Sequence, residues 1–103
     1  TLLEIEAAKV PLMNLALQLA RDGVLTRAEK SNRAHLGDRL NVGRVDPDLV
    51  SVLADAQTSG GLLLSVPTAR TEGLLTALAA RRTPCAATIG RVLSAPKPGI
   101  RLV

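Results

Sequence analysis

The stretch Leu53–Pro67, LADAQTSGGLLLSVP, joins a helical pattern to an apolar run through five polar or small residues. Two adjacent glycines allow backbone conformations with positive φ and let a ligand approach closely, and successive N–H groups in such a turn bind anions. The absence of a following Gly-Lys-Ser/Thr and of a helix start favours the alternative, a tight turn before a buried strand. Both interpretations stay open for the five turn residues Gln57, Thr58, Ser59, Gly60 and Gly61.

The elements on either side of this turn follow from local patterns. Residues 62–66 are mostly apolar, which predicts a central strand. Asp46 before Pro47 is typical of an N-cap followed by proline at the first helical position, so we expect a helix over 47–54.

The rest of the chain alternates short strands with helices, apart from an irregular stretch over 23–46 with a short strand around Leu40–Val45. This order predicts a single α/β (α+β) sandwich over residues 1–103, a mixed sheet with helices packed on it. The remaining predicted elements are strands over 1–9, 86–93 and 100–103, the last two paired as a hairpin, and helices over 12–22 and 72–81, the second capped by Thr68.

Composition argues against nucleic acid and membrane as partners of this chain. The 103 residues carry a net charge of +4, but the 13 basic residues are dispersed and no aromatic residue is present to stack on bases. We therefore expect no nucleic-acid partner. No apolar run reaches the ~18 residues of a membrane helix, and the single cysteine excludes an internal disulfide, so we expect a cytoplasmic protein without a membrane partner.

No complete catalytic constellation or metal site is predicted from residue spacing. His35 is the only histidine, and Cys85 has no histidine nearby in the sequence to activate it. Glu4 and Glu6 share one strand face, where a solvated pair is the simpler interpretation. The sequence therefore predicts either a binding domain or one part of an enzyme whose chemistry lies elsewhere.

The segment Asp55–Leu63 resembles the Asp-Pro-Gln-Thr-Ser-Gly-Gly-Leu-Leu signature of selenophosphate synthetase, with Ala56 where the family has proline. The tail, Thr88–Val92 and Gly99–Leu102, is similar to the family's closing Ile-Gly-x-Val hairpin. More weakly, the region containing Thr26 and Asn32 resembles a Gly-Gly-Thr…Asn loop, with one glycine absent and a longer spacing.

The resemblance implies a truncated C-terminal domain of an aminoimidazole-ribonucleotide-synthetase-like enzyme. Such a domain would cap the cleft of an N-terminal ATP-binding domain, in a homodimeric parent that converts ATP, selenide and water to selenophosphate, phosphate and AMP with Mg²⁺. The family's catalytic Cys or selenocysteine, Lys and metal-binding Asp residues lie upstream, so we expect this fragment to hold no cofactor and to be inactive alone. The resemblance also implies that Gln57–Gly61 and, more weakly, Thr26 and Asn32 line the nucleotide cleft.

Two other interpretations stay open. A stand-alone interaction domain sharing the fold would use Arg27, Lys30 and Arg33 to bind an acidic partner. A relative in the same superfamily would act on another substrate, as thiamine phosphate and hydrogenase-maturation enzymes do, although the Gln-Thr-Ser-Gly-Gly stretch argues against it.

Overall fold

A computed structural model of the chain describes residues 1–56 and 60–103. The predicted Gln57–Ser59 part of the turn lies outside the described residues. The described residues form four strands and four α-helices: β1 Leu2–Ile5, α1 Ala16–Arg21, α2 Arg27–Leu36, β2 Leu40–Asn41, α3 Pro47–Ala54, α4 Thr68–Ala80, β3 Gly90–Leu93 and β4 Gly99–Leu102.

The strands form one mixed sheet in the order β2-β4-β1-β3, which confirms the predicted α/β class with helices packed on the sheet. β1 pairs with β4 in parallel and with β3 antiparallel, and β2 extends the sheet beyond β4 in parallel. The predicted hairpin between residues 86–93 and 100–103 is wrong. β1 lies between β3 and β4 and pairs with one of them along each of its edges, so β3 and β4 do not pair with each other. The strand predicted over 86–93 is also shorter, beginning at Gly90.

The predicted central strand over 62–66 is wrong as well. These residues form no strand, and Leu62, Leu63 and Leu64 are 88%, 66% and 54% exposed. An apolar run predicts burial only if a sheet edge is available to pair with it, and β1 and β4 already occupy the centre of this sheet.

The helices differ from prediction for local reasons. The helix predicted over 12–22 begins only at Ala16, because Leu15 has a φ of 67°, a left-handed conformation that continues no α-helix. The stretch 23–46, predicted as irregular, contains α2. Helix α4 begins at Thr68, which lies inside the helix instead of capping it; Pro67 is the N-cap.

The buried apolar core is small. Its members come from the turn after β1, from α1, from α3 and from β4: Ala7, Ala20, Val50 and Leu102. Helix α3 is central to the helical layer because it packs against both α1 and α2. The predicted helix over 47–54 is confirmed to the residue.

Candidate functional site

Helix α3 places the beginning of the signature segment. Asp46 caps it by accepting the Asp48 N–H at 2.9 Å, and Pro47 follows as the first helical residue. This backbone hydrogen bond, together with the ion pair to Arg21 at 3.2 Å, lowers the pKa of Asp46. The helix ends at Ala54, and Asp55 turns to extended backbone while its N–H still donates to the Val52 carbonyl at 3.3 Å. The chain therefore leaves α3 at Asp55 and runs on toward Gln57.

Of the five turn residues, the structure describes Gly60 and Gly61, and both are exposed. Gly61 does not adopt the positive φ that adjacent glycines allow, and a Cβ at this position would meet nothing within 4 Å. Nothing within the described part of the chain therefore requires glycine at position 61. Gln57, Thr58 and Ser59, the other predicted cleft residues, lie outside the described residues.

Thr26, the N-cap of α2, and Asn32, within α2, lie directly against the start of the signature segment. The Thr26 hydroxyl donates to Oδ1 of Asp55 and accepts the Glu29 N–H at 3.2 Å, so it also caps α2. The Asn32 side-chain amide donates to the carbonyl of Ala54 at 2.9 Å. The fold thus joins two stretches that the sequence analysis linked only through a family resemblance.

Behind these contacts lies Glu29, a buried carboxylate that the sequence analysis missed. It is only 6% exposed, and its Oε1 accepts hydrogen bonds from Ser51 Oγ at 3.1 Å and Arg33 Nη1 at 3.0 Å. A usable sequence signal existed, because Thr26 followed three residues later by Glu29 has the spacing of a capping box at a helix start.

A second polar cluster crosses the sheet. Glu4 on β1 is aligned with Arg91 on β3 and with Arg101 on β4, and its carboxylate accepts from both guanidinium groups, at 2.7 and 2.5 Å. The Arg91 hydrogen bond, followed by that of Arg101, lowers the pKa of Glu4. Glu4 is only 8% exposed, so the predicted solvated carboxylate face is wrong at this position. The cluster ties three strands together.

The other candidate groups remain separate from this site. Cys85 is exposed, and among residues 1–56 and 60–103 no three His, Cys, Asp or Glu side chains converge as metal ligands do. A shallow depression of about 540 Å³ on α2 is lined by Arg27 and Lys30 among other residues, whereas Arg33 pairs with Glu29. No helix within the described ranges is long and apolar enough to cross a membrane.

Comparison with known proteins identifies the relationship. No family model and no solved structure matches the chain. Among curated proteins it is similar to a selenide, water dikinase of Myxococcus xanthus, 42% identical over 100 residues, which are 96% of this chain and 28% of the relative. A selenide, water dikinase of Nitratidesulfovibrio vulgaris is 36% identical over 96% of the chain and 28% of its own length. One of Clostridium botulinum is 37% identical over 88% of the chain and 26% of its own length.

The chain thus spans a little more than a quarter of the length of these relatives. The matches cover almost all of the chain, including the Asp55–Leu63 signature and the region that holds Thr26 and Asn32. The chain belongs to the selenide, water dikinase (selenophosphate synthetase) family.

Proposed function

We propose that this chain is the C-terminal domain of an ATP-dependent selenophosphate synthetase. The parent enzyme converts ATP, selenide and water to selenophosphate, phosphate and AMP, and this domain caps the cleft in which the reaction occurs. The observation that carries the proposal is the Asp55–Leu63 signature, found in a chain whose curated relatives are selenide, water dikinases. A cytoplasmic location fits the single exposed cysteine.

In this proposal the Gln57–Gly61 turn faces the nucleotide. The described end of the turn supports it, because Gly60 and Gly61 are exposed and the space beside Gly61 is open. A glycine that the described residues do not require is suited to the close approach of a phosphate or of another domain. Backbone N–H groups without side chains beside them would then donate to phosphate oxygens.

The partner that we propose is the N-terminal ATP-binding domain of the same protein, within a homodimeric parent. The accessible surface supports a missing partner: it is 8025 Å² for 10.8 kDa, whereas a compact monomer of this mass has about 5,500 Å². Large apolar side chains contribute to the excess, Leu62 and Leu63 among them. We accordingly expect the 103 residues to be inactive alone.

Mg²⁺ is implied by the family, and the described residues do not fit a site for it. Hard divalent cations need several oxygen ligands around one point, and no three acidic or other ligating side chains converge within the described ranges. We assign the metal to the ATP-binding domain and derive no step in this chain through it. The contribution proposed here is limited to donating hydrogen bonds and excluding water.

The test is Gly61→Ala in the full-length enzyme, with ATP- and selenide-dependent formation of AMP as the measurement. The added methyl group meets nothing within 4 Å among the described residues, so the fold is expected to be unchanged while kcat/KM for ATP falls about tenfold or more through misplacement of phosphate. Gly73→Ala is the matched control, because a Cβ on that α4 glycine also meets nothing within 4 Å.

Full activity in both Gly61→Ala and the bulkier Gly61→Val would refute the ligand-facing role of the turn. The isolated chain provides a second measurement, in which Mg·ATP is added to the labelled protein and the amides of Thr58–Gly61 are followed by NMR. Saturable shifts confined to these amides would show direct phosphate binding by this domain. Their absence, with activity lost in Gly61→Ala, would assign the turn to a site completed by the ATP-binding domain.

A further inference from the structure

Four residues form a polar bridge between α2 and the end of α3: Thr26, Asn32, Ala54 and Asp55. The bridge consists of two hydrogen bonds, from the Thr26 hydroxyl to the Asp55 carboxylate and from the Asn32 amide to the Ala54 carbonyl. The donors are the N-cap of α2 and a residue within α2, and both acceptors lie where the chain leaves α3 for the signature turn. The bridge therefore acts on the residues that immediately precede Gln57.

The acceptors are groups that a helix end leaves without partners. The last carbonyls of an α-helix have no intrahelical donor, so their partners decide how the chain continues. Here Asn32 satisfies the carbonyl of Ala54, the final helical residue, and Thr26 holds the side chain of Asp55, the C-cap. Together these bonds fix both the carbonyl direction and the side-chain direction at the exit from α3.

Helix α2 is itself held firmly enough to serve as a reference. Its Glu29 is buried against α3 and accepts from Ser51 of that helix, while Arg33 closes an ion pair on the same oxygen. Movement of α2 along α3 would break the hydrogen bond from Ser51 to this buried carboxylate, whereas Arg33 belongs to α2 and would move with it. Sliding of α2, the helix that carries the bridge donors, along α3 would therefore break the Ser51–Glu29 hydrogen bond.

Both bridge donors already have hydrogen-bond partners within the chain. A threonine hydroxyl has one proton to donate, and that of Thr26 is given to Asp55 while an oxygen lone pair accepts the Glu29 N–H. The Asn32 amide donates to a backbone carbonyl. These contacts suit residues that orient the neighbouring segment better than residues that bind a phosphate.

We propose that Thr26 and Asn32 are positioning residues: through Ala54 and Asp55 they set how the chain enters the Gln57–Gly61 turn, and they do not touch the nucleotide. The proposal deepens the function proposed above and rests on it for the identity of the ligand. The α2–α3 bridge itself is a property of this chain and is tested independently of any activity.

The first experiment uses Thr26→Asp and Thr26→Ser in the 103-residue chain. Aspartate is as good an N-cap as threonine or better, so α2 is retained, but an ionised carboxylate cannot donate to Asp55 and repels it. The measurement is amide hydrogen exchange at Asp55, whose N–H donates to Val52, with Val103, whose N–H donates to Ile5 in the sheet, as the internal reference.

In Thr26→Asp, exchange at Asp55 is expected to rise about tenfold, the effect of losing one hydrogen bond, while Val103 and the α2 amides keep their protection. Thr26→Ser retains both roles of the hydroxyl and is expected to stay within about twofold of the natural chain. Asn32→Asp provides a second variant of the same shape that removes the donor to Ala54. Unchanged exchange at Asp55 in both aspartate variants would overturn the proposal.

The second experiment places the same variants in the full-length enzyme. A displaced turn is expected to lower kcat/KM for ATP by about 10- to 100-fold in Thr26→Asp and Asn32→Asp. Thr26→Ser, which keeps the hydroxyl, is expected to retain the natural kcat/KM. Raised exchange at Asp55 with an unchanged rate would overturn the positioning role. If the natural enzyme forms no AMP from ATP and selenide, the proposed function fails, and the exchange result alone still decides whether the bridge fixes the exit from α3.

Discussion

Among the described residues, the buried apolar side chains lie in one region of this molecule, and another region has none. In the paired region, which comprises the sheet with α1 to α3, Leu102 is 5% exposed between strands and helices. In the exposed segment, residues 60–89, Leu62 is 88% exposed, and no residue of α4 is buried. Within the described ranges, α4 has only slight contact with any other helix or strand. The difference shows that apolar side chains are buried here by available partners and not by composition alone.

Two glycines provide the largest expected contrast between these regions. A Cβ on Gly90 would lie 2.0 Å from the carbonyl oxygen of Glu4, whereas one on Gly61 would meet nothing within 4 Å among residues 1–56 and 60–103. Gly90→Ala must therefore push β3 away from β1, at a cost of about 3 kcal/mol or more in the free energy of unfolding. Gly61→Ala is expected to change it by less than about 0.5 kcal/mol. Urea denaturation followed by circular dichroism measures both.

Equal stabilities for the two variants would contradict the separation of the regions.

The same comparison explains part of the family resemblance. Gly90 belongs to the Ile-Gly-x-Val tail, and the structure accounts for it by the close approach of β1. Gly61 belongs to the signature, and the described chain offers no steric reason for it.

The next effect is a dependence of stability on pH that arises from Glu4 in the paired region. Hydrogen bonds from Arg91 and Arg101 lower the pKa of Glu4 in the folded state below the ordinary value of 4.5. Its contribution is therefore complete above pH 4.5 and is lost as the pH falls through the lower, folded-state pKa. We expect the urea midpoint of the natural chain to fall more steeply below pH 4.5 than that of Glu4→Gln.

The matched control for this prediction is Glu72→Gln, at an exposed position on α4. Its pH profile is expected to follow that of the natural chain. A Glu4→Gln profile as steep as the natural one would show that the three-strand cluster contributes no pH-dependent stability.

The smallest effect is expected from the exposed leucines. Leu63→Ser removes a side chain that is 66% exposed, so the free energy of unfolding should change by less than about 0.5 kcal/mol. Because large exposed apolar patches favour association, we expect the variant to self-associate less at high concentration, as measured by sedimentation velocity. A loss of stability of about 2 kcal/mol, typical of a buried leucine, would place Leu63 in a core.

Prediction from the sequence succeeded where structure depends on neighbours along the chain. Helix α3 was predicted to the residue because Asp46 and Pro47 fix its start by local hydrogen bonding and backbone geometry. The start of β1 also followed from its alternating pattern. Helix α2 was missed because its buried position is the polar Glu29, so no apolar stripe marked the helix.

In the candidate site, too, the features that depend on neighbouring residues were predictable from the sequence, and those that depend on tertiary packing were not. The sequence by itself determined the signature segment, the helix that leads into it and the family to which the chain belongs. Only the tertiary structure decided that β1 separates β3 from β4 and that Glu4 is covered by two arginines. It also placed Thr26 on Asp55, 29 residues away, and Asn32 on Ala54, 22 residues away. Caps and turns depend on neighbouring residues, whereas these contacts exist only after distant segments have packed together.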